Sequence, residues 1–126
     1  MAITQVTVAS PASEIIFQDT AMGGTADGIK ASSAVVYYVQ VDNTLNGAAS
    51  YVKLYNLASG SVTVGTTVPD QVLLVAANKV QTYVFSTAAS SGMTFGTALS
   101  AACTTAGGTA GNTSPSSSVV VTVVYV

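Results

Sequence analysis

Ala-Val-Val-Tyr-Tyr-Val-Gln-Val-Asp, residues 34–42, is the stretch from which the architecture can be read. Six of its nine residues are Val or Tyr, and nothing in it breaks for a turn. β-Branched and aromatic residues at this density belong on a pleated surface, and a two-residue period is that of a strand. Alternation puts Val35, Tyr37, Val39 and Val41 on one face and Val36, Tyr38, Gln40 and Asp42 on the other. The first set is the more apolar and is expected to face the core.

The same pattern repeats on both sides. Upstream lie Ile3 to Ala9, closed by Ser10-Pro11, and Glu14 to Ala21, centred on Ile15-Ile16-Phe17. Met22 to Gly28 reads as a loop. Downstream, Asn46-Gly47 signals a turn into Ser50–Leu57. There Val52 and Leu54 point inward, and Tyr51, Lys53 and Tyr55 form an outward aromatic face. Ser61–Val64, Gln71–Ala76 and Val80–Ser86 follow, the last two joined at Asn78-Lys79. Met93–Thr104 reads as one long strand whose second face, Thr94, Gly96, Ala98, Ser100 and Ala102, is small enough for another backbone to approach. An Ala-rich helix over residues 97–103 is the alternative there. Thr105–Ser117 is a Gly/Ser/Thr/Pro loop, flexible or functional on its length. Ser118–Val126 is a final strand of almost pure Val and Tyr. About eight strands separated by turn signals, with no helical stripe, predict one all-β domain over residues 1–126. The expected architecture is an antiparallel β-sandwich of jelly-roll or immunoglobulin-like type.

The composition narrows function mainly by exclusion. Charged residues are 6% of the 126, against about 25% in an average soluble domain. There is no His, Arg or Trp; the cations are Lys30, Lys53 and Lys79. Three lysines build no phosphate-binding patch, so nucleic acid is not an expected partner. Without His, neither a Ser–His nor a Cys–His nucleophile can be assembled. The five acids, Glu14, Asp19, Asp27, Asp42 and Asp70, sit on separate turns and show no pair for acid–base chemistry. Glu14, Asp19 and Asp27 flank Gly23-Gly24, but no acidic motif at cation-ligand spacing is present, so these acids read as solvated. The single Cys103 can form no intrachain disulfide, lies in a core-like run and lacks a base, so it reads as an inert buried thiol. Gly107-Gly108-Thr109-Ala110-Gly111 has no Lys or helix after it and is not a phosphate loop. The expectation is a protein with no enzymatic activity, cofactor or metal. The apolar runs are far shorter than the ~20 residues of a membrane helix, and residues 1–6 lack the charged and apolar regions of a secretory signal. Synthesis in a cytoplasm, with no membrane association, is the expectation.

What remains is assembly. A surface of Ser, Thr, Asn and Gln suits packing against neighbours. The bare Val-rich terminal strand invites pairing unless it is central in its sheet or covered by another subunit. Tyr51, Tyr55, Val120, Val124 and Val126 are therefore the candidate interface residues.

The run Tyr37-Tyr-Val-Gln-Val-Asp-Asn-Thr-Leu-Asn-Gly-Ala-Ala-Ser-Tyr-Val-Lys-Leu-Tyr-Asn56, continuing through Val62-Thr-Val-Gly-Thr-Thr-Val-Pro-Asp70, resembles small virion proteins of tailed bacteriophages, cyanobacterial phages among them. Gly107-Gly-Thr-Ala-Gly-Asn-Thr-Ser-Pro115 before the Val-rich strand is similar in style. The resemblance covers about two-thirds of the chain and carries no functional residue across. It implies a virion location and a role as a capsid decoration (cement) protein. Such a protein would bind the major capsid protein and copies of itself, bridging neighbouring capsomers. A tail or fibre component that binds a receptor or carbohydrate is the alternative.

Overall fold

The computed structural model describes residues 14–86 and 92–126, and the strand read over Ile3–Ala9 lies outside the described residues. Among the described residues the chain forms nine strands and a single 3-10 turn, all strand pairs being antiparallel. The strands are β1 (Ile15–Asp19), β2 (Asp27–Lys30), β3 (Ala34–Asp42), β4 (Ser50–Tyr55), β5 (Gln71–Val75), β6 (Val80–Val84), β7 (Met93–Phe95), β8 (Leu99–Thr104) and β9 (Val120–Tyr125). Sheet A runs β1-β9-β3-β6, with β7 also on β3; sheet B runs β2-β8-β4-β5.

With short β7 set aside, eight strands in chain order give 1-8-3-6 and 2-7-4-5. The chain wraps back and forth between two sheets, which is the double Greek key of a jelly roll. An immunoglobulin sandwich pairs its first two strands in one sheet; here β1 and β2 lie in different sheets, so the jelly-roll branch of the expectation is the one realised. Val36, Val39 and Val41 of β3 and Val121 and Val123 of β9 face Val52 and Leu54 of β4, Leu73 and Val75 of β5, and Leu99, Ala101 and Cys103 of β8. Such interdigitation of two inner faces is the normal sandwich core.

The faces expected for residues 34–42 are corrected in the first half of the strand. The register of β3 against β9 shifts between Val36 and Tyr38. The core therefore receives Ala34 and Val36 before the irregularity and Val39 and Val41 after it, while Val35 is only half-buried. One extra residue, Tyr37, inverts the alternation. Its carbonyl accepts from the backbone N–H groups of both Phe85 and Ser86. Below this bulge β3 pairs with β7, and above it with β6.

Other expectations change too. Met93–Thr104 is two strands in different sheets, β7 in sheet A and β8 in sheet B, rather than one strand or a helix. Ser61–Val64 is no strand; Ser59–Ser61 makes a 3-10 turn and Thr63 closes a second turn by accepting from Thr66 and Thr67. Asp27–Lys30, read partly as loop, is an edge strand with a bulge after Gly28. The Asn-rich turn after β3 is held by buried side chains. Asn43 Nδ2 donates to Ala48 O (3.0 Å) and Ala76 O (3.1 Å), and its Oδ1 accepts from Asn46 Nδ2 (3.0 Å) and Ser50 Oγ (2.8 Å). Buried amides persist only when so satisfied.

Candidate interface

The two outer faces of the sandwich differ. Sheet B is roofed. On its outer face Tyr51, Lys53 and Tyr55 alternate with core-facing Val52 and Leu54, as the pattern predicts, but the aromatic side is covered. Residues 105–117 cross it as a strap. Lys53 Nζ donates to the carbonyls of Gly108 and Gly111, both at 2.7 Å. Ser117 N donates to Asn46 Oδ1 (2.9 Å) and Gly24 N to Ser114 Oγ (2.8 Å). A Cβ on Gly107 would come within 2.7 Å of the Tyr51 ring, so the strap lies directly on that ring. The segment after β4 adds to the cover, with Ser100 Oγ donating to Leu57 O, while Leu74 of the edge strand β5 stays 49% exposed.

Tyr55 is 0% exposed and its hydroxyl has no hydrogen-bond partner. The expectation of Tyr55 as an exposed interface residue is therefore corrected, and Tyr51 is half-buried. Lys53 is fully buried with no carboxylate beside it, and desolvation lowers its pKa. The loop read as flexible or functional is pinned by these bonds. The small face of Ser100 and Ala102 is what lets the roof come down.

Among the described residues no segment is tied across the outer side of sheet A as the strap is tied across sheet B. The register aligns three rows across its four strands. Ile16, Val124, Tyr38 and Val84 stand side by side; so do Gln18, Thr122, Gln40 and Thr82; and Val120, Asp42 and Val80. The middle row is a hydrogen-bonded ladder in which Gln18 Nε2 donates to Thr122 Oγ1 (3.1 Å) and Gln40 Nε2 to Thr82 Oγ1 (3.3 Å). The flanking rows carry exposed aliphatics: Ile16 is 68%, Val84 59% and Val80 49% exposed. Asp42 is the one carboxylate in these rows, its pKa lowered by the hydroxyl and N–H of Thr44.

The Val-rich last strand is central, between β1 and β3. Its backbone is paired on both sides within its own sheet. Of the candidate interface residues on it, Val124 is 3% exposed, and Val120 and Val126 are half-buried. Among the described residues the open strands of sheet A are instead β1 and β6. Sequence reasoning missed Ile16, Val80 and Val84 as surface residues because it weighed the most apolar strand, and that strand is the one its neighbours cover.

Three ionisable groups lie away from this face. Asp19 closes β1 and Asp27 opens β2, and their side chains hydrogen-bond, correcting the expectation that the acids form no pair. Burial first, then the bond to Asp19 and its charge, push Asp27 up to about 6. Among the described residues no third acid, His or Cys joins them in a metal-binding group. Cys103 is buried, and desolvation pushes its thiol up to about 12, far from the thiolate range a nucleophile needs.

No family model matches this chain, and no curated protein matches it.

Proposed function

We propose that this chain is a non-enzymatic structural protein of a virion, a capsid decoration protein that lays the outer face of sheet A on the capsid surface and stabilises neighbouring capsomers. One observation carries the reading. Among the described residues the jelly roll ties two segments over one sheet and none over the other, where Ile16, Val80 and Val84 are exposed beside an uncharged Gln–Thr ladder. An apolar patch rimmed by polar groups on a charge-poor chain is what a docking surface looks like. The jelly-roll fold is common among virion proteins and lectins alike, so the fold adds only an analogy. The resemblance of residues 37–70 to phage virion proteins points the same way. A fibre module that binds a carbohydrate would present exposed tyrosines and a free loop. Tyr55 is buried and the loop is tied to Lys53, so the capsid reading is preferred.

The test is co-sedimentation of the purified protein with capsids lacking it. Wild type binds. The double change Ile16→Asp, Val84→Asp weakens binding by more than about tenfold, roughly 1.4 kcal/mol, without moving the thermal melt, since both positions are exposed. Failure of the wild-type protein to bind sinks the proposal.

A further inference from the structure

We infer that sheet A continues from one copy of this chain into the next, with the β1 edge of one copy pairing antiparallel with the β6 edge of its neighbour. In an antiparallel pair, residues that exchange both hydrogen bonds alternate with residues that exchange none. Val35 and Val126 exchange both, at 3.0 Å each. Outer-face residues of β3 and β9 therefore bond to each other, and the inner-face residues of β9 bond to β1. That leaves the N–H and C=O groups of Ile16 and Gln18 pointing away from β9, off the side of β1 that pairs with no other strand among the described residues. At the other end, Asn43 N donates to Lys79 O (2.8 Å) and Phe85 N to Tyr37 O (2.8 Å). These bonds assign the inner-face residues of β6 to β3. The backbone groups of Val80, Thr82 and Val84 point off the free side of β6.

The two free sides are complementary. β1 and β6 run in opposite directions in the sheet order β1-β9-β3-β6, so a neighbour in the same orientation presents β1 antiparallel to β6. Setting Ile16 of the next copy opposite Val84, and Gln18 opposite Thr82, makes both of them fully bonded pairs. It also continues both outer rows without a break: the aliphatic row, and the ladder Gln18, Thr122, Gln40, Thr82, then Gln18 again. A shift by one residue would put outer residues opposite inner ones. The charges agree as well. β1 is flanked by Glu14 and Asp19, and the charge at the start of β6 is Lys79, which this register places diagonally opposite Asp19, within reach of its long side chain.

Neither strand carries the usual guards of an edge. Ile15–Asp19 and Val80–Val84 contain no Lys, no Pro and no bulge. Area supports the same occupant, and this one point rests on the capsid-docking reading. Four strands by five residues span roughly 19 Å by 17 Å. That is on the order of 300 Å² of flat surface, well short of the about 800 Å² per partner of a stable interface. Adjoining copies extend the same face to that size. The contact is heterologous, so its rotation closes a ring or, failing closure, grows a ladder.

The experiment needs no capsid, so its failure and that of the capsid proposal are separable. Ile16→Cys and Val84→Cys are purified separately as full chains, mixed and oxidised. Bonded antiparallel pairs hold their Cα atoms about 5.5 Å apart, inside the roughly 4.4–6.8 Å a disulfide spans; native Cys103 is buried. The expected product is a mixed disulfide that joins position 16 of one chain to position 84 of the other. It forms at least tenfold faster than any crosslink to a Leu45→Cys control at an exposed turn. Thr82→Pro removes an N–H directed at the neighbour and none directed at β3. It lowers the self-association seen in sedimentation at least tenfold while the circular dichroism spectrum is kept. Homodisulfides in place of the mixed one would mean a two-fold pairing and overturn the inference. So would a monomer in sedimentation with no crosslink above the control, the result expected if other residues of the same chain, or another protein, hold the β1 edge.

Discussion

At the scale of single residues, two buried or half-buried charges make measurable statements. Asp27 holds its proton to about pH 6 in the folded state, against 3.8 ordinarily. A raised carboxyl pKa means the folded state binds the proton more tightly than the unfolded state. Its contribution is thus fully present below about pH 4 and is lost as pH rises to about 6. Urea midpoints should therefore fall between about pH 4.5 and pH 7. Asp27→Asn should abolish that fall and stabilise the protein at pH 7 by roughly 1 kcal/mol, a value discounted for the partial exposure of the pair. Asp42 shifts in the opposite direction but is retained in the variant, so the difference between the two proteins isolates Asp27.

Lys53 gives a second residue-scale prediction. Its ammonium is the staple of the strap, and Lys53→Met keeps the packing of the stem while removing both bonds to Gly108 and Gly111. The expected cost is about 1–3 kcal/mol, with faster amide exchange confined largely to residues 105–117. The identity of these residues is plain in the sequence. Their partners are not: Lys53 meets carbonyls 55 and 58 positions away, and nothing in local spacing points to them. The Asp19–Asp27 pair was partly legible, since both acids flank the Gly23-Gly24 loop, but only the turn from sheet A to sheet B brings the carboxyls together.

At the scale of the element, β3 shows both the power and the failure of periodicity. Its nine-residue span matches the sequence reading to the residue. Half of its face assignment is inverted, because a bulge is a tertiary event. β3 changes partner from β7 to β6 at Tyr37, and the extra residue accommodates the switch. A matched pair of substitutions tests this. Val36→Lys puts a charge at a 0% exposed core position and should cost more than about 3 kcal/mol or prevent folding. Val35→Lys, half-buried on the other side, should cost about 1 kcal/mol or less. Thermal melts or urea titrations decide it, and equal costs would refute the bulge assignment. The division of Met93–Thr104 has the same cause. Alternation runs through Phe95 and Leu99 unbroken, so period alone cannot show that the chain crosses between sheets there.

At the scale of the whole molecule, both proposed contacts rest on the contrast between a strapped sheet B and a sheet A that no described segment is tied across. Both contacts proposed for sheet A are nearly uncharged, resting on backbone pairing, Gln–Thr bonds and aliphatic burial. Raising NaCl from about 0.05 to 1 M screens charge–charge contacts almost completely. Self-association and capsid binding should therefore change by less than about threefold, and sulfate should strengthen them. A steep loss with salt, seen in sedimentation, would count against the apolar character assigned to both contacts.

Composition and periodicity were enough for the all-β class, most of the strands, the inward faces of β4 and the poverty of charge. These properties are local: they follow from β-branched density, a two-residue period and a count. Which sheet each strand joins, which outer face is covered and which edges stay open emerged only once the chain was packed in three dimensions. The Val-rich last strand drew attention as an exposed liability and proved to be an interior one, flanked on both sides in sheet A. The less apolar β1 and β6 were left outside. The reason is physical: burial is a property of neighbours, and in a jelly roll the neighbours of a strand come from the far ends of the chain.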